Sequence, residues 1–194
     1  MTAGFWDARA EGFDDEPDHG LRDGRVRDAW AAVLLPLPPK PGSAVADLGC
    51  GTGSLAVLLA AAGHEVSGLD FAPRMVEAAA AKASAAGVRV ALTTGDAASP
   101  PYAEASFDVV LARHVLWALP DPAAAVGRWV RLLRPDGVLV LVEGRWSTGS
   151  GLTADETRDL VLRVRDEAVV TSLDDEALWG RPIDDERYLV LSRR

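Results

Sequence analysis

Three glycines at alternate positions, Gly49, Gly51 and Gly53, follow the short apolar run Val45-Ala46-Asp47-Leu48, with Asp47 two residues before the first of them. Apolar residues resume at once at helical spacing, as Leu55, Leu58 and Leu59. This pattern predicts a buried parallel strand, a tight turn and a helix start. Such a turn lets backbone approach a ligand where any side chain would clash. In open α/β sheets the place just beyond the strand's C-terminal end is where nucleotides bind. The spacing is acidic-x-G-x-G-x-G. A dinucleotide fingerprint needs G-x-G-x-x-G, and Ser54 stands where its third glycine belongs.

Further residues fit the same chemistry. Asp70 closes a second strand, and an acid at that edge accepts both hydroxyls of a ribose. Phe71 and Met75 follow it, and either can pack on an adenine face; Met75 suits a plain core position equally well. Asp96, in Gly95-Asp96-Ala97 after a third strand, suits an exocyclic amine, with a backbone amide for a ring nitrogen. The candidates for moving a proton are His114, His19 and Glu143, and an imidazole of ordinary pKa suits general-base work at neutral pH. Trp6, Trp117, Trp146 and Trp179 flank the same sheet edge, where they can wall an apolar pocket, attract a cation, or pack beneath loops. Three histidines and one cysteine lie scattered without metal-ligand spacing, and no nucleophile-elbow pentapeptide is present.

The elements that must position these residues read as alternating strands and helices. Residues 1–35 predict two helical pieces, with Phe5, Trp6, Arg9 and Phe13 on one face and a second helix over 22–35. A proline-rich linker, 36–42, leads into strands over 44–49, 65–70, 88–93, 107–112 and 138–143. Helices start at 53, at Pro73, at Asp121-Pro122 and behind the capping box Thr153-x-x-Glu156. Arg134 to Gly137 predicts a turn, and two last strands, about 168–173 and 187–192, come with no helix between them and so predict antiparallel pairing. The rest predicts a doubly wound parallel sheet with right-handed crossovers.

At 194 residues the chain reads as one domain, 1–194. A net charge of −9 argues against nucleic acid or an anionic membrane as partner. The single cysteine, Cys50, and the lack of a signal peptide or spanning apolar run fit a cytoplasmic protein. Basic residues are nearly all Arg, with Lys40 and Lys82 the only lysines, a usage that fits GC-rich bacterial coding.

The four ordered motifs continue through Phe107-Asp108-Val109-Val110, Arg113 to Pro122 and Leu132-Leu133-Arg134-Pro135-Asp136-Gly137. Together they resemble the class I S-adenosylmethionine (SAM) dependent methyltransferases. The resemblance covers about 44–143, and it implies a Rossmann-like seven-stranded sheet of order 3-2-1-4-5-7-6 with strand seven antiparallel. It implies SAM as cofactor, S-adenosylhomocysteine as product and a small molecule as acceptor, while the scattered histidines and cysteine argue against a metal. Asp47, Gly49, Gly51 and Gly53 would then contact the methionine part, Asp70 the ribose, and Phe71, Met75, Asp96 and Ala97 the adenine, while Ala112 would meet the methionine amino group through its backbone. Residues 1–40 would form a helical lid over a 41–194 core. Trp6, Phe13, His19, Trp117, Glu143 and Trp146 would border the acceptor, and His114 would be the candidate base. The acceptor atom (oxygen, nitrogen or carbon) and the oligomeric state stay open. The alternatives are a SAM-binding accessory protein without catalysis and a nicotinamide-dependent oxidoreductase, the latter opposed by Ser54.

Overall fold

Apolar residues alternate between two faces along every central strand, because helices cover the sheet on both sides. A computed structural model describes residues 2–193; Met1 and Arg194, the ends of the expected domain, lie outside the described residues. The strands are β1 (Ala44–Leu48), β2 (Glu65–Asp70), β3 (Val90–Thr94), β4 (Phe107–Arg113), β5 (Leu133–Arg145), β6 (Val169–Ser172) and β7 (Glu186–Ser192). They form a seven-stranded sheet of order β3-β2-β1-β4-β5-β7-β6, the expected order. The first five run parallel, and β7 runs antiparallel to both β5 and β6.

The helices are α1 (Ala3–Asp7), α2 (Pro17–Gly20), α3 (Gly24–Leu34), α4 (Ser54–Ala61), α5 (Pro73–Ala85), α6 (Pro122–Leu132), α7 (Ala154–Leu162) and α8 (Glu176–Trp179). Their starts follow from capping chemistry. Asp23 and Asp121 accept the N–H of Arg25 and Ala124, Pro73 and Pro122 open their helices, and Thr153 with Glu156 forms a reciprocal capping box. Val45, Val109, Leu111 and Val140 pack one face of the sheet with Trp30, Leu55 and Trp179. Ala46, Leu48, Val110 and Leu141 pack the other with Trp129 and Tyr188.

Three expectations need correction. The first helical piece is broken into α1, a 3-10 turn at Phe13–Asp15 and α2, because Gly4, Gly12, Pro17 and Gly20 leave no uninterrupted helical stretch. The Arg134–Gly137 turn belongs to β5, where Leu133 already pairs with Phe107 and the register then shifts. The last two strands are separated by the single turn of α8. The expected lid also divides. Helix α3 buries Val26, Trp30 and Leu34 in the main core, with the Trp30 indole donating to Leu178 O at 2.8 Å. Only the segment before α3 reaches the glycine turn.

Candidate functional site

The glycine turn after β1 organises the site. Gly49, Gly51 and Gly53 adopt φ of +73°, +56° and +77°, a region that side chains disfavour. The N–H groups of Gly49 and Cys50 both donate to Leu69 O, at 2.7 and 2.9 Å, which ties the turn to β2. Asp70 completes the tie: Oδ2 accepts from Gly51 N and Oδ1 from Ala72 N, each at 2.9 Å. Burial raises the Asp70 carboxyl above its ordinary value, while those amide donors pull it back.

A cavity of about 540 Å³ opens over this turn. At the β2–β3 end it is lined by Asp70, Phe71, Met75, Asp96 and Ala97, and in the middle by Asp47, Gly49 and Gly51. At the β4–β5 end it is lined by His114, Trp117 and Trp146, and Trp6, Phe13 and His19 close it from the N-terminal segment. The sequence reading therefore brings these residues to one place. Three others stand outside the lining. Gly53 serves packing, since a Cβ there would lie 2.8 Å from Ala79 Cβ of α5. Ala112 is buried in the sheet between Leu48 and Leu141, because β4 runs one residue further before it turns. Glu143 is fully buried beneath the loop after β4.

Glu143 holds that loop. Its Oε1 accepts from Val115 N at 3.0 Å and Leu116 N at 2.7 Å, while Oε2 has no hydrogen-bond partner among the described residues. Burial pushes the carboxyl up to about 8, so it is mostly protonated at neutral pH, with the two amides working the other way. The held loop in turn seats the glycine turn: a Cβ on Gly49 would lie 2.3 Å from Val115 Cγ2. Asp47, the other buried acid, is pushed up to about 7 by burial, which Arg113 opposes. Its Oδ2 has no hydrogen-bond partner among the described residues.

His114 begins the same loop at φ +58°, a strained setting for a non-glycine residue. Its N–H donates to Val142 O at 2.8 Å, and its carbonyl accepts from the Trp117 indole at 3.0 Å. The imidazole meets Trp146 edge-on at 5.2 Å and stacks on Trp179 at 6.0 Å. Nε2 has no partner among the described residues. Here the sequence expectation of an ordinary pKa is overturned. Burial, then Arg113, Arg187 and His19, hold the imidazole well below its usual value, so it is neutral and weakly basic. Trp179, expected near the pocket, lies behind His114 in the core.

The N-terminal segment is fastened across the turn. Phe13 stacks on His19 at 4.3 Å and would meet a Cβ on Gly51 at 3.3 Å. Burial lowers the His19 pKa, against the pull of Asp18. Asp14 accepts from Lys82 of α5 and from the Thr52 hydroxyl, and Lys82 also donates to Thr52 and Ser54. Arg113 donates to Asp18 O at 2.7 Å and lines the cavity. Sequence reasoning missed Lys82 and Arg113. The usable signal for Lys82 was its rarity in an arginine-rich chain; a strand-end arginine such as Arg113 carries none.

Residues 46–141 match the family model described as a methyltransferase domain. The chain is 45% identical to nocamycin O-methyltransferase of Saccharothrix syringae over 105 residues, 51% of this chain and 37% of that protein. It is 33% identical to 27-O-demethylrifamycin SV methyltransferase of Amycolatopsis mediterranei over 159 residues, 80% of this chain and 55% of that protein. The chain belongs to the class I SAM-dependent methyltransferase superfamily. It spans about half the length, or less, of these curated relatives. Its fold is that of geranyl diphosphate C-methyltransferase from Streptomyces coelicolor, solved with Mg2+, geranyl diphosphate and S-adenosylhomocysteine (TM-score 0.72, 14% identity, covering 86% of this chain and 79% of that chain).

This superfamily fold suits the geometry. The unpartnered Asp47 Oδ2, the positive-φ backbone of Gly49 and Gly51 in the lining, and a cavity in the usual range of small-molecule sites fit a nucleoside with a charged amino-acid tail. Among the described residues no group of His, Cys, Asp and Glu gathers as a metal site, and no helix is long and apolar enough to cross a membrane.

Proposed function

We propose that this chain is a methyltransferase that binds SAM along the glycine turn and methylates an oxygen of a small molecule. The observation that carries the reading is the single cavity joining Asp70, the glycine turn and the His114–Trp146 wall. Asp70 would hold the ribose while keeping Gly51 in place, Phe71, Met75, Asp96 and Ala97 would frame the adenine, and Asp47 would accept from the methionine amino group. When bound, SAM supplies an electrophilic methyl on a good leaving group. The chain then needs mainly to position and to exclude water. Trp6, Phe13 and His19 would close the site from above, and Trp117 and Trp146 would seat the acceptor. The relatives' names as O-methyltransferases support oxygen as the acceptor atom. A reducing, cytoplasmic setting belongs to this reading: Cys50 is the one cysteine and lines the cavity as a thiol that burial pushes up. Mass spectrometry of the protein, released from gentle purification, tests the reading. SAM or S-adenosylhomocysteine as the copurified ligand supports it; a nicotinamide nucleotide overturns it.

A further inference from the structure

The β4–β5 end of the cavity is built unlike the rest. Trp117 and Trp146 stand 5.1 Å apart, tilted by 60°, and His114 meets Trp146 edge-on. Behind this wall the Arg187 guanidinium lies 5.1 Å from the Trp146 ring and 5.3 Å from Trp179. Arg113 stands on the other side of His114 in the chain and lines the cavity. Both guanidiniums have acidic partners, Asp185 for Arg187 at 2.9 Å and Asp18 for Arg113 at 3.8 Å, yet both still act on His114 as positive charges. His19 approaches from α2, and Glu143 of β5 lies beneath. The lining carboxylates Asp47, Asp70 and Asp96 belong to the β1, β2 and β3 side. This end thus offers flat apolar faces, a positive field and one imidazole nitrogen.

Those features select among acceptors. An aliphatic alcohol keeps its proton unless a strong base takes it, and a depressed imidazole is a poor one. A cationic amine would face the Arg113 guanidinium in the lining, with Arg187 behind the tryptophan wall. A flat, acidic hydroxyl suits both the rings and the field.

We propose that the acceptor is a flat phenol or enol that stacks on one of the Trp117 and Trp146 rings, meets the other at an angle, and reacts as its oxyanion. This rests on the methyltransferase reading above. The hydroxyl proton passes to water, directly or by way of His114 Nε2. An oxyanion lone pair then forms the O–C bond as the S–C bond of the sulfonium donor breaks, with its pair staying on sulfur. Positive sulfonium and negative oxygen become a neutral thioether and a neutral ether.

The test uses the whole protein saturated with S-adenosylhomocysteine, so that nothing turns over, and 4-nitrophenol as the probe. Its ionised form is coloured, and absorbance reads the ionisation midpoint of the bound probe. The midpoint should fall by about one pH unit or more on binding. Arg187→Met should return it towards the free value, and Trp146→Ala should weaken binding about fivefold. Absence of binding, or binding with an unshifted midpoint, overturns the proposal, as does tighter binding of benzylamine. Failure of S-adenosylhomocysteine itself to bind, read first by calorimetry, overturns the methyltransferase reading instead.

Discussion

The Lys82 ammonium lies 2.8 Å from the Asp14 carboxylate, and this pair joins the N-terminal segment to the glycine turn. Both groups are largely buried, and Lys82 extends the link to Thr52 and Ser54. Burial lowers the Lys82 pKa and Asp14 opposes that fall in part, so the charged lysine depends on its partner. Asp14→Asn removes a charged hydrogen bond worth about 1.5–3 kcal/mol. S-adenosylhomocysteine should then leave at least about tenfold faster in stopped-flow fluorescence, with faster hydrogen exchange over residues 5–20. Unchanged release would mean that the segment does not gate the site.

Glu143 gives a pH signature. Burial pushes its carboxyl up to about 8, above its ordinary 4.5. Between those values the folded protein holds a proton that the unfolded chain has lost, so stability falls as pH rises, by up to about 1.4 kcal/mol per unit. Asp47 adds a fall of the same sign up to about 7. Glu143→Gln keeps an acceptor for Val115 and Leu116 and removes one of the two titrations. Urea unfolding should show a shallower decline than the parent, and the difference should vanish below about pH 4.5. Parallel curves would show Glu143 ionised in the fold.

Gly49 and Gly51 should respond differently to alanine. At Gly49 the new Cβ would lie 2.3 Å from Val115, and φ is +73°. The backbone strain costs about 1–2 kcal/mol and the overpacking about 1–3 more. At Gly51 the nearest atom is Phe13 Cε1 at 3.3 Å, which can give way. Gly49→Ala should therefore be the more destabilising in thermal unfolding, and Val115→Ala should recover part of its loss. Additive effects would mean that the Gly49–Val115 contact is not the cause.

His114→Ala separates a base from a wall. A general base contributes about 10²–10⁴-fold. With the imidazole held neutral and weak, turnover on a phenolic acceptor should fall less than about tenfold, and SAM affinity should stay near the parent's. A loss of a hundredfold or more in turnover alone would restore the histidine as base.

Much of this was legible in the sequence, for identifiable reasons. The glycine turn, Asp70 and Asp96 sit at strand ends, and a parallel sheet carries every strand end to one edge. The helix starts were legible because their caps are local chemistry, as at Asp121 and Thr153. The roles of Glu143 and Arg113 were not. Glu143 acts on Val115 and Leu116 across two strands, and Arg113 on Asp18 of a distant segment. The His114 pKa depends on Arg187, 73 residues away in the chain by its number and brought close only by β7 pairing on β5. The N-terminal helix broke because glycines and Pro17 outweighed an apolar spacing.

Calorimetric titration with SAM tests the central claim most directly, because the cofactor decides between the readings. The parent should bind one SAM per chain, and Asp70→Asn should bind at least about tenfold more weakly, having lost charge-assisted bonds to the ribose. Absence of SAM binding by the folded parent, or equal binding by parent and variant, would contradict the account.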